Sequence, residues 1–193
     1  MKLLASLTSP YARKLRVLAH ELALPVTLVE TAPMEDGPAL LAANPLGKVP
    51  VLVLDDGSSI VDSRVIAAYL LAQAPGQTLL ATAGPAHWHG LTTEAIADGI
   101  LDAAINLRFN AGQGVTEGAW PDRQRRAIAR ALAALAGRIG AEPGYPEICI
   151  VIACEYLDLR FPDIDWRAHG ALRGLQAALT DRSSLAATRP PQA

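Results

Sequence analysis

Cysteine is scarce in this chain. Two in 193 residues, Cys149 and Cys154, exclude a disulfide-stapled scaffold. On a helix, five residues separate them by roughly 140° around the axis, so both are expected as buried thiols in a reducing cytosol. Histidine is almost as rare, with four in all. His87 and His89 flank Trp88 and would point roughly 200° apart on a helix, too divergent to share a metal. His20 and His169 stand alone, and no metal site is expected. Charged residues make up 19% of the chain, with a net charge of -2, so there is no basic excess to hold nucleic acid. No apolar run of membrane-spanning length is free of charge, so no membrane association is expected. The apolar start Met1–Ala5 is interrupted by Ser6, Thr8 and Pro10, too early for a signal peptide, and a cytoplasmic location follows as an expectation. There is no internal repeat and no low-complexity tract.

What is present suffices for a core: 51% of the residues are hydrophobic, enough for one or two small domains. Lys2–Ser6 reads as a short apolar strand. Pro10 opens a helix through Leu15, Val17, Leu18 and Leu22 that ends before Pro25, and Val26–Glu30 reads as a second strand. Strand, helix, strand in that order implies a right-handed parallel crossover. Pro38–Ala43 is a short, weak helix. Val51–Leu54 and Ser58–Val61, around Asp56-Gly57, read as a hairpin. Arg64–Gln73 closes the unit as a helix. Ala74–Ala86, rich in Gly, Pro and Thr, contains the linker, taken at 77–86, between domains at 1–76 and 87–193. Beyond it the pattern is helical: Ala86–Phe109, a Gly-rich break over 110–118, a helix from Trp120-Pro121-Asp122 through Ile139, and a turn over Glu142–Pro146. Ile148–Leu159 is a nearly continuous apolar stretch expected as the buried central helix, and Trp166–Leu179 is amphipathic. The tail from Asp181 to the Pro190-Pro191 pair is expected to be non-helical.

One stretch organises the first half: Asn44-Pro45-Leu46-Gly47-Lys48-Val49-Pro50-Val51-Leu52, with Asp62-Ser63 ten residues further on. A proline entering a strand cannot donate to the ladder, so Val49-Pro50 marks an edge. A cis bond there would turn the Val49 main chain outward, where another extended backbone could pair with it. Asp62-Ser63 begins an apolar-periodic run, Val65, Ile66, Tyr69 and Leu70, as a capping residue does. Exposed main chain, a helix N-terminus, a hydroxyl and a carboxylate near one hairpin suit a small peptide-like ligand carrying an amine and carboxylates. A turn followed by an ordinary capped helix accounts for the same residues without a ligand.

The nine-residue segment with its correctly spaced Asp-Ser resembles the glutathione site of the glutathione S-transferase family, in its bacterial, serine-type form. The resemblance covers the whole chain, including the Pro-Pro ending. It implies an α/β thioredoxin-like N-terminal domain, βαβαββα, followed by an all-α C-terminal domain, glutathione as co-substrate and a homodimer. It also implies roles. Val49, ahead of Pro50, pairs its backbone with the glutathione cysteinyl amide. Asp62 takes the γ-glutamyl amine and Ser63 its carboxylate. Lys48 approaches the glycyl carboxylate or is a solvated lysine. Ser9 stabilises the thiolate, or is a plain N-cap before Pro10, with Thr8 the rival donor. A redox-type relative would carry cysteine at Ser9 and also at Ala12, and neither is present. Tyr11 walls a substrate pocket or is a packed aromatic, and Arg13 is a cleft cation or a solvated helix residue. By fold analogy a small electrophile would lie near Tyr11, Arg13, Asn106 and Phe109. The resemblance is compatible with a transferase of alkyl or aryl groups in detoxification, or with a glutathione-binding or protein-interaction module of little activity.

Glu94, Asp98, Asp102 and Asn106 recur every four residues as a polar stripe. It is a solvated face, or Asp98 reaches the ligand amine across a two-fold interface, as similar acids do in related transferases. Those relatives also begin their buried helix with a Ser/Thr-x-x-Asp capping box. Matched to Cys149-Ile150-Val151-Ile152, the box lacks both polar ends, so a weak helix start is expected.

Overall fold

The computed structural model describes residues 1–191. They form two compact units: Met1–Gln77 together with the chain from Asp181 on, and Thr78–Thr180.

The first unit is a thioredoxin-like α/β sandwich. Its elements run β1 (Lys2–Ala5), α1 (Pro10–Glu21), β2 (Thr27–Glu30), α2 (Pro38–Ala43), β3 (Val51–Val53), β4 (Ser59–Val61) and α3 (Ser63–Ala72). The sheet order is β2-β1-β3-β4. β1 and β2 are parallel, whereas β1 with β3 and β3 with β4 are antiparallel. The pleat sends alternate residues to opposite faces. Leu4 and Val51, register partners, pack against Leu40 of α2. Leu3 and Leu52 therefore face the other way, the side on which α3 contacts β3.

The expected non-helical tail is corrected: Ser183–Ala187 forms a short helix, here α8 after the four α-helices described below. It is folded by distant partners. Glu21 accepts from Arg182 through Nε at 2.7 Å and Nη2 at 2.6 Å, and also from the Ser184 hydroxyl. Ser184, Leu185 and Thr188 are buried. This segment belongs with the first unit rather than with the helices that precede it.

The second unit is entirely helical: α4 (Gly84–Gly112), α5 (Ala119–Ala136), α6 (Tyr145–Arg160), a 3-10 turn (Trp166–Ala168) and α7 (Gly170–Leu179). α4 lies against both α5 and α6, and α6 is buried along nearly its whole length. α4 starts before Ala86 and runs through the first part of the expected Gly-rich break. The amphipathic stretch Trp166–Leu179 is divided at His169. The turn is pinned because Asp158 accepts from Trp166 Nε1 at 2.8 Å and from the Arg167 fork at 2.5 and 2.8 Å.

The buried helix begins three residues earlier than Ile148, and its cap lies five residues before the stretch matched to it. Glu147 accepts from the main-chain N–H of Gly144 at 2.9 Å and of Gly140 at 2.9 Å. The side-chain half of a capping box is thus present, and Gly144 has no side chain to supply the other half. The expected weak start at Cys149 is therefore wrong, because Cys149 is a full turn inside the helix. Cys149 and Cys154 are buried free thiols. Among the described residues no helix is long and apolar enough to cross a membrane.

Candidate functional site

The first unit collects its candidate residues through strand register. β1 pairs with β3 as far as Leu4 with Val51, and β3 pairs with β4 as far as Val51 with Val61. The pairing of β3 with both of its neighbours thus stops at the same end of the sheet. One end of the sheet therefore gathers the β1–α1 loop, Val49-Pro50 and the start of α3.

At the first of these, Ser9 is the N-cap of α1, and its Oγ accepts from the Ala12 N–H at 3.2 Å. That bond uses an oxygen lone pair and leaves the hydroxyl proton to donate elsewhere. It sits at the positive end of a 12-residue helix. Thr8 is differently placed, since its hydroxyl pairs with that of Ser6 at 3.2 Å. Tyr11 is partly buried. Arg13 is buried at 3% exposure and donates from Nη2 to Leu185 O at 3.3 Å. The structure thus places Arg13 under the C-terminal segment, and it is not a solvated helix residue.

At the second, the Val49–Pro50 bond is cis, and the paired residues of β3 begin at Val51, so the Val49 main chain lies outside the ladder. The loop ahead of it is built by a residue that sequence reasoning passed over. Asn44 is buried, its Nδ2 donates to Lys48 O at 2.8 Å, and its Oδ1 accepts from Leu46 N–H at 3.1 Å. Gly47 has φ +61°, and a Cβ there would meet Asp36 Oδ1 at 3.3 Å, which is why the turn takes glycine. An Asn ahead of a Pro-x-Gly turn was the available signal. The Lys48 side chain is exposed.

At the third, Asp62 caps α3 by accepting from Arg64 N–H at 2.9 Å. Its backbone has φ +71° and ψ 127°, unusual for a residue with a Cβ. Ser63 is buried beside it.

The remaining candidates lie on α4 in the second unit. Glu94 and Asp98 are 2% and 5% exposed. The solvated-face reading therefore fails for half of the stripe and holds for Asp102 and Asn106. The Tyr145 hydroxyl donates to Glu94 Oε1 at 2.7 Å. Burial, with Cys149 and Glu94 alongside, holds the Tyr145 pKa well above its ordinary value, so the hydroxyl stays a donor. Asn106 Nδ2 donates to Asp102 O at 2.9 Å, and Phe109 is exposed. His87 and His89 contact separate carbonyls, Ala81 O and Arg138 O.

A thioredoxin-like sheet with a cis prolyl edge and two capped helices, followed by an all-helical unit, defines a two-part class: a thioredoxin-like domain with a helical domain after it. Residues 3–78 match the glutathione S-transferase N-terminal domain family. The chain is 33% identical over 206 aligned positions to the uncharacterized GST-like protein YibF of Escherichia coli, spanning all of both chains. Among solved structures it resembles a glutathione S-transferase from Methylobacterium radiotolerans in complex with glutathione sulfonate. That match has TM-score 0.91 and 33% identity, over 100% of this chain and 95% of that one. A glutathione transferase family member from Pseudomonas fluorescens with bound glutathione superposes at TM-score 0.89 with 37% identity, over 98% of each chain. The chain belongs to the glutathione S-transferase family.

Proposed function

We propose that this chain binds glutathione at the register-gathered end of its sheet and ionises the thiol there for attack on a small electrophile. The observation that supports the reading is that the β1–α1 turn capped by Ser9, the cis Val49–Pro50 bond and the Asp62-Ser63 start of α3 all adjoin the same end of the sheet. The glutathione sulfonate complex of one relative and the glutathione complex of another support the choice of ligand.

The energetics are adequate without a general base. A free thiol has pKa ~8.5, and full ionisation at neutral pH needs a fall of roughly two units, about 2.7 kcal/mol. A hydrogen bond to a charged group contributes roughly 1.5–3 kcal/mol. A helix N-terminus adds roughly 0.3–1 kcal/mol. Ser9 supplies the first and α1 the second. Val49 would pair with the cysteinyl amide, with Lys48 near the glycyl end. Asp62 would meet the amine, and Ser63 with the leading N–H groups of α3 the γ-glutamyl carboxylate. The thiolate then attacks an electrophilic carbon and the leaving group departs. A cytoplasmic homodimer with a role in detoxification completes the proposal.

Titrating the protein with glutathione while following thiolate absorbance tests it. A band should grow at neutral pH, and Ser9→Ala should weaken thiolate formation by roughly 1–2 kcal/mol, about tenfold. Asp62→Ala should abolish retention on immobilised glutathione. Absence of both band and heat of binding at millimolar glutathione would overturn the reading. Retention without turnover of any electrophile would reduce it to a binding module.

A further inference from the structure

α1 carries Ser9 at its leading end and Glu21 at its trailing end, and the C-terminal segment holds it at points between. Arg182 grips Glu21 with a two-pronged fork at 2.7 and 2.6 Å, and the Ser184 hydroxyl joins the same carboxylate. Further along, Leu185 O accepts from Arg13 Nη2 at 3.3 Å, and Thr188 O accepts from Arg16 Nη1 at 3.5 Å. Leu185 is the middle residue of the five-residue helix and Thr188 follows its last, so both carbonyls are among the acceptors of the final turn that lack main-chain helical partners and favour cations, and Leu185 O also accepts from the Thr188 hydroxyl at 3.3 Å. The Thr188 hydroxyl closes the same turn onto Ser184 O at 2.8 Å.

Arg13 is the link. Its guanidinium is held by Leu185 O, while its main-chain N–H donates to Ser9 O at 3.0 Å. A shift of Leu185 is therefore passed through one residue to the turn that carries the Ser9 hydroxyl. Thiolate stabilisation depends on where that hydroxyl lies to within a fraction of an ångström.

We propose that Arg182–Thr188 is a strap along α1 that sets the position of the Ser9 hydroxyl, and that Glu21 is a positioning residue acting through the strap. This rests on the proposed role of Ser9 for its catalytic consequence. The mechanical link to the α1 leading turn does not.

Amide exchange at Ala12 and Arg13, whose N–H groups both bond to Ser9, reads the link directly. Glu21→Gln and Arg182→Ala should each speed exchange there by about threefold or more, with the far-ultraviolet dichroism unchanged. Arg182 is partly exposed, so its variant decides if Glu21→Gln does not fold. Arg125→Ala, which breaks the exposed Arg125–Asp163 pair of the other unit, should leave both amides unchanged. With glutathione bound, Glu21→Gln should raise the apparent thiol pKa by roughly 0.5–1 unit, a partial loss of one charged hydrogen bond. Affinity for S-methylglutathione, which has no thiol to ionise, should stay within a factor of about two. Unchanged exchange at Ala12 and Arg13 in the folded variants overturns the strap. If the wild-type protein raises no thiolate band, the proposed function fails, and the exchange result still decides the strap.

Discussion

Asp62 adopts φ +71° with ψ 127° although it bears a Cβ. Such a conformation costs on the order of 1–3 kcal/mol and persists where surrounding structure enforces it, often at ligand sites. Its side chain caps α3, and the exposed Arg64 contact at 3.6 Å contributes little. Glycine removes the strain and loses only a few tenths of a kcal/mol of capping. Asp62→Gly is therefore expected to raise stability by about 1 kcal/mol after its own chain-entropy cost. Asp62→Ala, which keeps the strain and loses the cap, should lower it by about 1 kcal/mol. Both should lose glutathione. Urea unfolding checks the order, and a glycine variant less stable than wild type would refute the strain argument. Glu21 is a second residue whose energetics show in a measurement. The Arg182 hydrogen bonds hold its carboxyl below the usual carboxylate range, against burial, which acts the other way. A depressed native pKa gives stability that is complete above the unfolded value, near 4.3, and lost as pH falls through the lower folded value. Glu21→Gln should thus cost about 1–2 kcal/mol at neutral pH, and the difference should shrink below roughly pH 4. Thermal unfolding across that range tests it, and a constant gap would assign the loss to packing alone.

The start of α6 shows how one element is fixed by a close approach. Tyr145 N–H donates to Leu79 O at 2.8 Å, and a Cβ on Gly144 would lie 2.4 Å from that same oxygen. Serine at this position has the better capping side chain and no room for it. Gly144→Ser is expected to destabilise the fold by about 2 kcal/mol, the range of overpacking rather than of a cap gained. Chemical denaturation measures it, and a neutral or stabilising serine would show that Leu79 yields. This cap was hard to read in advance for a physical reason. An almost continuously apolar run such as Ile148–Leu159 carries no phase to mark where the helix begins, and glycine is a weak start signal. Most other elements were legible because their signals are local: Pro10 and Pro38 at first helical positions, Asp56-Gly57 in the hairpin, Ser9 and Asp62 as caps. α8 was not, because five residues ending near two prolines are held by Glu21 and Arg13, more than 160 positions away in sequence. The burial of Glu94 was equally hidden, since its spacing matches that of exposed Asp102 and the Tyr145 hydroxyl that bonds it lies 51 residues on.

At the scale of the whole molecule, the chain leaves the first unit at Gln77 and returns to it at Asp181. Folded, the second unit supplies a fixed path from Thr78 to Thr180. Unfolded, it becomes a flexible loop of roughly a hundred residues, and closing such a loop costs on the order of 4–5 kcal/mol. The Arg182–Glu21 fork contributes roughly 1.5–3 kcal/mol, and the Ser184–Glu21 bond and the long Arg13 and Arg16 contacts, at 3.3 and 3.5 Å, about 1 kcal/mol each. The two sums are of the same size, so unfolding the second unit should release the strap. Tyr145→Phe puts this to a test, since it removes a donor from buried Glu94 inside the second unit and should cost about 1.5–3 kcal/mol there. All three tryptophans, Trp88, Trp120 and Trp166, lie between Thr78 and Thr180, so their fluorescence follows the second unit alone. The expected result is a lower urea midpoint by fluorescence, with amide exchange at Ala12 and Arg13 accelerating over the same urea range. If fluorescence shifts and those two amides keep their wild-type protection, the strap stays closed on an open loop. Its contacts with α1 would then outweigh the cost of closing the loop.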